Sequence, residues 1–348
     1  MTIIEKIKKV RQLCDNTPNG IVYDADTILA DEIETRCGKR LPIISEKTDG
    51  VFIELKITEE NKSEEYEICC DCGGVSVLAH RLRGLIYGFF MILRKSFLKD
   101  GRLLLDRNIT GTYSPAMSVR GHNLSYTESN NTVDAWDAKQ YRKYMIELMA
   151  FGTNTIEGNF FAKKERNRLM KMSFEEAPVT VSQLCCELDL DLTVFYPLTK
   201  KMTDDETARL IVSQLGTLPK VDYLFLPGGD PGNMQAEDFV RRCTCVSKAL
   251  ASVHPELQII PSAQAPHEFP DWGSRFKKSM SEKPEGISRL FSGLITQCRL
   301  MSFAAVFRAN IRLSSIPISP TTSDAKRPFT LPVMTGTTRG RQHFQGNR

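Results

Sequence analysis

Residues 221–233 read VDYLFLPGGDPGN. The apolar run from Val221 to Leu226 ends abruptly in a loop of prolines and glycines, and a helical pattern then runs from Ala236 to about Val253. A short apolar run bounded by turn residues reads as a buried strand, and the helix after it completes one strand–helix unit. Working outward, the same unit recurs at nearly even spacing. Candidate strands begin near Met117, Thr155, Leu192, Asp222 and Gln258, and helical patterns fill the gaps at about Ala138–Phe151, Val179–Leu188, Asp204–Leu215 and Ala236–Val253. Strand alternating with helix at this period predicts a parallel sheet with helical crossovers.

Closing such a sheet into a TIM-type (β/α) barrel takes eight units, with functional residues at the C-terminal ends of the strands. About five are recognisable here, so the expected fold is α/β with an incomplete barrel over residues 113–297. A doubly wound open sheet is the alternative. It would gather its polar residues at one switch point, whereas here they follow several strands.

Upstream, residues 1–112 read as a small α/β accessory domain. An apolar run at Ile21–Tyr23 precedes a helix that Asp26 is placed to cap, with Ile28, Leu29, Ile33 and Cys37 on one face and Gly38 at its end. Val51–Ile57 alternates like a half-buried strand, Glu65–Cys70 follows, and an apolar helix spans about Arg83–Arg94. Residues 298–348 lose both periods and are rich in Ser, Thr, Pro and Arg. They read as a disordered tail, and as a candidate for translation out of frame.

A chain 41% hydrophobic and 25% charged has the composition of an ordinary globular protein, which excludes wholesale disorder. The net charge of +4 suggests nucleic acid until its location is considered. From Cys298 onward eight Lys and Arg face one acid, Asp324, giving +7, so residues 1–297 carry 4 − 7 = −3. No nucleic-acid partner is expected. The opening MTIIEKIKKVRQL lacks the apolar core of a signal peptide, and no segment has the continuous apolar length of a membrane span, so a cytoplasmic protein is expected. The adjacent pairs Cys69–Cys70 and Cys185–Cys186 do not suit a spaced disulfide framework, and neither C-x-C pair has the companions of a zinc site. The loop at 227–233 has neither the Gly-Lys-Ser/Thr ending nor the G-x-G-x-x-G spacing of a phosphate cradle. No cofactor or metal is expected.

Polar and aromatic residues near the strand ends make a carbohydrate the expected ligand. Sugar hydroxyls need donors and acceptors, and a sugar's apolar face stacks on an aromatic ring. After the first strand come Arg120, His122, Asn123, Asn131, Asp134 and Trp136; Asn154 and Glu157 lie about the second; Tyr196 ends the third; Gln264 follows the fifth. Asp230 projects from the Gly/Pro loop after the fourth strand, where a fixed carboxyl suits acid catalysis of glycosidic cleavage.

The runs RGHNLSYTESNNTVDAWDAKQYRKYMIELMAFGTNTIEGN (120–159), LDLTVFYP (190–197) and YLFLPGGDPGN (223–233) resemble the barrel of bacterial alpha-glucuronidase-like glycoside hydrolases, related to family 67. ADEIETRCGKRLPII (30–44) and LRGLIYGFFMILRK (82–95) look like the accessory domain that precedes those barrels and also hexosaminidase barrels. The resemblance covers about residues 20–297. It implies an inverting hydrolase acting on glucuronic-acid-decorated, xylan-derived oligosaccharides. The general acid of that family is a Glu in the loop after the fourth strand, which points to Asp230; the base comes from later strands, which are not recognisable here. Two alternatives remain open. A hexosaminidase-like hydrolase shares the accessory domain but usually carries an adjacent Asp-Glu pair after the fourth strand, and a non-catalytic carbohydrate-binding remnant needs no base.

Overall fold

A computed structural model describes residues 18–44, 52–58, 61, 63–71, 74–99, 102–105, 107–124, 132–161, 168–228, 233–263, 268–287, 289–291 and 312–314. Chain contacts gather Met1–Ser314 into one unit, while the second unit, Ser315–Arg348, lies wholly outside the described residues.

The first sheet contains β1 (Phe52–Ile57), β2 (Tyr66–Asp71), β3 (Gly74–Ala79) and β6 (Gly111–Tyr113) in the order β1-β3-β2-β6. β1 runs parallel to β3, whereas β2 is antiparallel to both β3 and β6. Val75, Val77 and Ala79 alternate inward, as a strand with one covered face requires. The cover is α1 (Pro18–Cys37) and α2 (Leu82–Lys95). Gly84 and Gly88, one turn apart, let α2 lie close on β3: a Cβ at Gly88 would come within 2.3 Å of Val77 Cγ1. A hairpin of β4 (Ser96–Lys99) and β5 (Arg102–Leu105) follows α2.

Two readings of this region are corrected. Ile21–Tyr23 is helical, because Pro18 has the fixed φ of a first helical residue and α1 starts there. Asp26 therefore lies inside α1 and does not cap it. Ile28, Leu29 and Ile33 are buried on its inner face, and Gly38, with φ of +68°, takes the left-handed conformation that ends it.

The second sheet holds β7 (Gly121–Asn123), β8 (Thr155–Gly158), β9 (Asp191–Phe195), β10 (Tyr223–Leu226) and β11 (Gln258–Pro261). All its pairings are parallel, and the strands stand side by side in chain order. A doubly wound sheet reverses that order at its switch point; this one does not. With right-handed crossovers, unbroken order puts every connecting helix on the same face, which is the barrel arrangement. The helices are α3 (Ala138–Met149), α4 (Glu176–Glu187), α5 (Asp204–Leu215), α6 (Ala236–Leu250) and α7 (Trp272–Ser281). Ile156, Leu192, Val194, Leu224, Leu226 and Ile259 are fully buried on the face they cover. Capping boxes at Asp137/Gln140 and Thr203/Glu206 set the starts of α3 and α5.

Beyond α7, Ile287 bridges Ile259 in parallel, β12 (Arg289–Phe291) follows, and β13 (Arg312–Ser314) pairs parallel with β12. These two strands are additions to the five read from the sequence. At three residues each, they are too short to show an alternation.

Candidate functional site

The strands of the second sheet have two ends with opposite chemistry. At the N-terminal end, Arg83 projects from α2 and is 1% exposed. Its guanidinium donates to Glu64 Oε1 at 2.9 Å and Asp191 Oδ1 at 2.8 Å, and lies 3.4 Å from Asp189 Oδ1. Arg81 holds Asp189 through two nitrogens. Burial alone would raise the Asp189 carboxyl, but the Arg81 hydrogen bonds and the Arg83 charge outweigh it and hold it below the usual carboxylate range. Lys220 lies 3.7 Å from Asp191 and 3.5 Å from Asp222, whose carboxylate accepts from the Leu192 N–H. Each of these acids has a basic partner.

Two of the expected sugar contacts belong to this floor. Arg120 precedes β7: its guanidinium donates to Glu64, to the Met117 carbonyl and, at 2.6 Å, to the Gly152 carbonyl. Asn154 precedes β8, donating to Glu64 Oε1 and the Ser118 carbonyl and accepting from Arg120 N and Thr155 Oγ1. With these hydrogen bonds made and the N-terminal end covered, neither residue reaches a ligand at the opposite end. Their assignment as sugar contacts is corrected to a structural one.

The free face of the sheet, opposite the helices, carries the residues that alternate with the buried apolar row. Register places Asn123 beside Glu157, Glu157 beside Thr193, and Thr193 beside Tyr223. One step nearer the C-terminal end, Phe195 and Phe225 lie together with ring centroids 5.6 Å apart, both partly exposed. Asn123 Nδ2 donates to Glu157 Oε1 at 2.6 Å. Burial pushes the Glu157 carboxyl up to about 7. A carboxyl that exchanges its proton near neutrality, beside a carboxamide and below two aromatic rings, can accept from or donate to a sugar hydroxyl while the rings cover an apolar sugar face.

The remaining expected residues scatter. His122 is in register with Ile156 and so belongs to the other face, where burial lowers its imidazole. Tyr196 is 7% exposed and donates its hydroxyl to Gln214 of α5 at 2.6 Å; burial pushes the phenol up to about 12. That reading is corrected too, because the hydroxyl faces the helix layer. Trp136 packs edge-on against Tyr141 and Tyr144, immediately before the cap of α3. Asp134 lies in a 3-10 turn, Thr132–Ala135, within reach of the same Tyr141. Asp230, Asn131 and Gln264 lie outside the described residues. Thr193, Tyr223, Phe195 and Phe225 were missed in the sequence. The strand alternation in LDLTVFYP and YLFLP carries their signal, since positions two apart share a face.

Both flanks of the loop that carries Asp230 are fixed by Trp272, the fully buried first residue of α7. A Cβ at Gly228 would come within 2.5 Å of the Ser262 carbonyl oxygen and 2.8 Å of Trp272 Cη2. Across the loop, Trp272 Nε1 donates to the Met234 carbonyl at 2.9 Å. Among the described residues no cluster of three or more His, Cys, Asp or Glu is arranged to hold a metal ion, and no helix is long and apolar enough to cross a membrane.

Parallel strands in unbroken order, helices on one face and a polar-aromatic surface on the other define the α/β-barrel class. Among solved structures the chain resembles the GH20 beta-N-acetylhexosaminidase from Streptomyces coelicolor A3(2), with a TM-score of 0.60 at 13% identity, over 84% of this chain and 67% of that one. A mutant Streptomyces plicatus beta-hexosaminidase in complex with its product GlcNAc gives 0.56 at 14% identity, over 78% and 68%. A GH138 enzyme targeting pectin rhamnogalacturonan II gives 0.55 at 12% identity, over 80% of this chain and 37% of that one. At such identities the likeness is one of fold. No family model matches the chain, and no curated protein does.

Proposed function

We propose that this chain is a glycoside-hydrolase-type protein that takes a carbohydrate on the free face of its second sheet, and that it is of the hexosaminidase kind. The observation that carries this reading is the Asn123–Glu157 pair, placed below Phe195 and Phe225 toward the C-terminal end of parallel strands. Barrel enzymes place their chemistry at that end. The likeness to hexosaminidases favours this kind over the alpha-glucuronidase, xylan-directed expectation, which these comparisons do not support. Asp230, after β10, keeps the role of proposed acid. A non-catalytic binding protein is the second reading, because the loop PGGDPGN carries one carboxylate and no adjacent Asp-Glu pair.

The test compares binding with turnover. N-acetylglucosamine is titrated into the 348-residue chain by NMR while hydrolysis of its methyl glycoside, whose poor leaving group needs protonation, is measured. The enzyme reading expects binding with hydrolysis that Asp230→Asn reduces by two to four decades, about the span of acid catalysis. Binding without turnover selects the second reading. A folded chain that binds no sugar overturns both.

A further inference from the structure

The charge around Glu157 narrows the class of sugar, given the carbohydrate reading above. At the floor of the sheet the carboxylates of Glu64, Asp189, Asp191 and Asp222 each have a basic partner. Glu157 differs: among the described residues it forms no ion pair, and its hydrogen-bond partner is the neutral Asn123. The described side chains in its row and in the next row toward the C-terminal end are also uncharged near neutrality. Thr193 from β9 and Tyr223 from β10 lie in its row, and Phe195 and Phe225 lie in the next. Asp191, an acid farther down the same face, is already engaged by Arg83 and Lys220. Among the described residues of this surface, Glu157 thus stands as an acid with no ion-pair partner, and no cation lies beside it to receive an anionic ligand.

We propose that Glu157 is the specificity-determining contact of this face, admitting uncharged sugars and rejecting uronic acids, and that Asn123 is its positioning residue. A ligand carboxylate brought beside an ionised Glu157 meets like charge in a partly water-excluded place, where repulsion is much stronger than in bulk water. A neutral sugar meets none. The carboxyl titrates near 7, so the rejection switches on as pH rises through neutrality. Below that point the protonated group donates a hydrogen bond to a uronate instead. Donation from Asn123 favours the ionised form, so the amide also sets where the switch lies.

The experiment titrates the 348-residue chain with N-acetylglucosamine and, separately, with glucuronic acid, by NMR at about pH 5.5 and about pH 8.5, either side of the titration. Glucuronate should bind roughly tenfold or more weakly at the higher pH, while N-acetylglucosamine affinity stays level. Glu157→Gln should abolish the pH dependence of glucuronate binding, and Asn123→Ala should move its midpoint upward, a shift that a purely structural Asn would not produce. If the Gln variant fails to fold, the wild-type pH series decides alone. Glucuronate bound as well as N-acetylglucosamine at both pH values overturns the specificity role and leaves the carbohydrate reading standing. A folded chain that binds neither sugar overturns both.

Discussion

Ionising a carboxyl on the free face of the sheet costs stability. Glu157 moves from an ordinary 4.5 to about 7 on folding because burial disfavours its charged form. Between those values the folded chain holds a proton that the unfolded chain has lost, so stability is greatest below about 4.5, falls as pH rises through the window and levels off above 7. A shift of this size corresponds to a loss on the order of 3 kcal/mol across the window. Glu157→Gln removes the ionisation. Urea unfolding at about pH 5 and about pH 8 should show the variant losing less than the wild type, by roughly that amount. Identical losses in the two proteins would mean that water reaches the carboxyl freely.

Residue type alone did not say which end or face of a strand a side chain occupies. Arg120 and Asn154 carry the polarity of a sugar site, yet each precedes its strand, and their shared partner Glu64 lies far away in the chain. Tyr196 shares the parity of Leu192 and Val194, which was enough to assign it to the helix-covered face. Asn123 and Glu157, by contrast, do lie at the C-terminal ends of their strands, side by side in register, so their place on the sheet followed from strand order.

At the level of elements, β8 to β11 were readable because each has an apolar row to bury against a helix that shows its own period. β3 and the β4–β5 hairpin were not: β3 begins three residues after β2 ends, so the two read as one stretch, and each hairpin strand has only four residues. The Pro/Gly run after β10 marked a loop in the sequence but not what its backbone meets. What approaches Gly228 is the Ser262 carbonyl and the Trp272 ring, neighbours that only the folded chain brings together. Gly228→Ala would push a methyl group into a backbone oxygen that cannot rotate away. Overpacking of this kind costs about 1–3 kcal/mol, to be read as a lower urea midpoint with an unchanged slope. A stability within about 0.5 kcal/mol of wild type would mean that the junction of β10, β11 and α7 yields easily.

Across the whole molecule, Arg83 belongs to the helix over the first sheet and ends among the acids beneath the second. Burial works against its charge, but Asp189 and Asp191 outweigh that and hold the guanidinium above its ordinary value. Arg83→Met would keep the bulk and leave Glu64, Asp189 and Asp191 short of one buried positive charge. Removing one partner of a buried ion network typically costs about 3–5 kcal/mol. Because this network spans the junction, amides of β3 and β9 should lose hydrogen-exchange protection together. Loss confined to β3, or a cost under about 1 kcal/mol, would show the two sheets to be energetically independent.

The floor and the mouth of the second sheet are opposite ends of the same strands, and they tolerate change differently. Mutations that reshape the mouth act on side chains and loops outside the ion network, so they draw little on the stability that the network supplies. On the carbohydrate reading proposed above, a descendant of such a chain can therefore change its ligand preference by drift at the mouth alone. The floor changes only when a charge and its partner are replaced together.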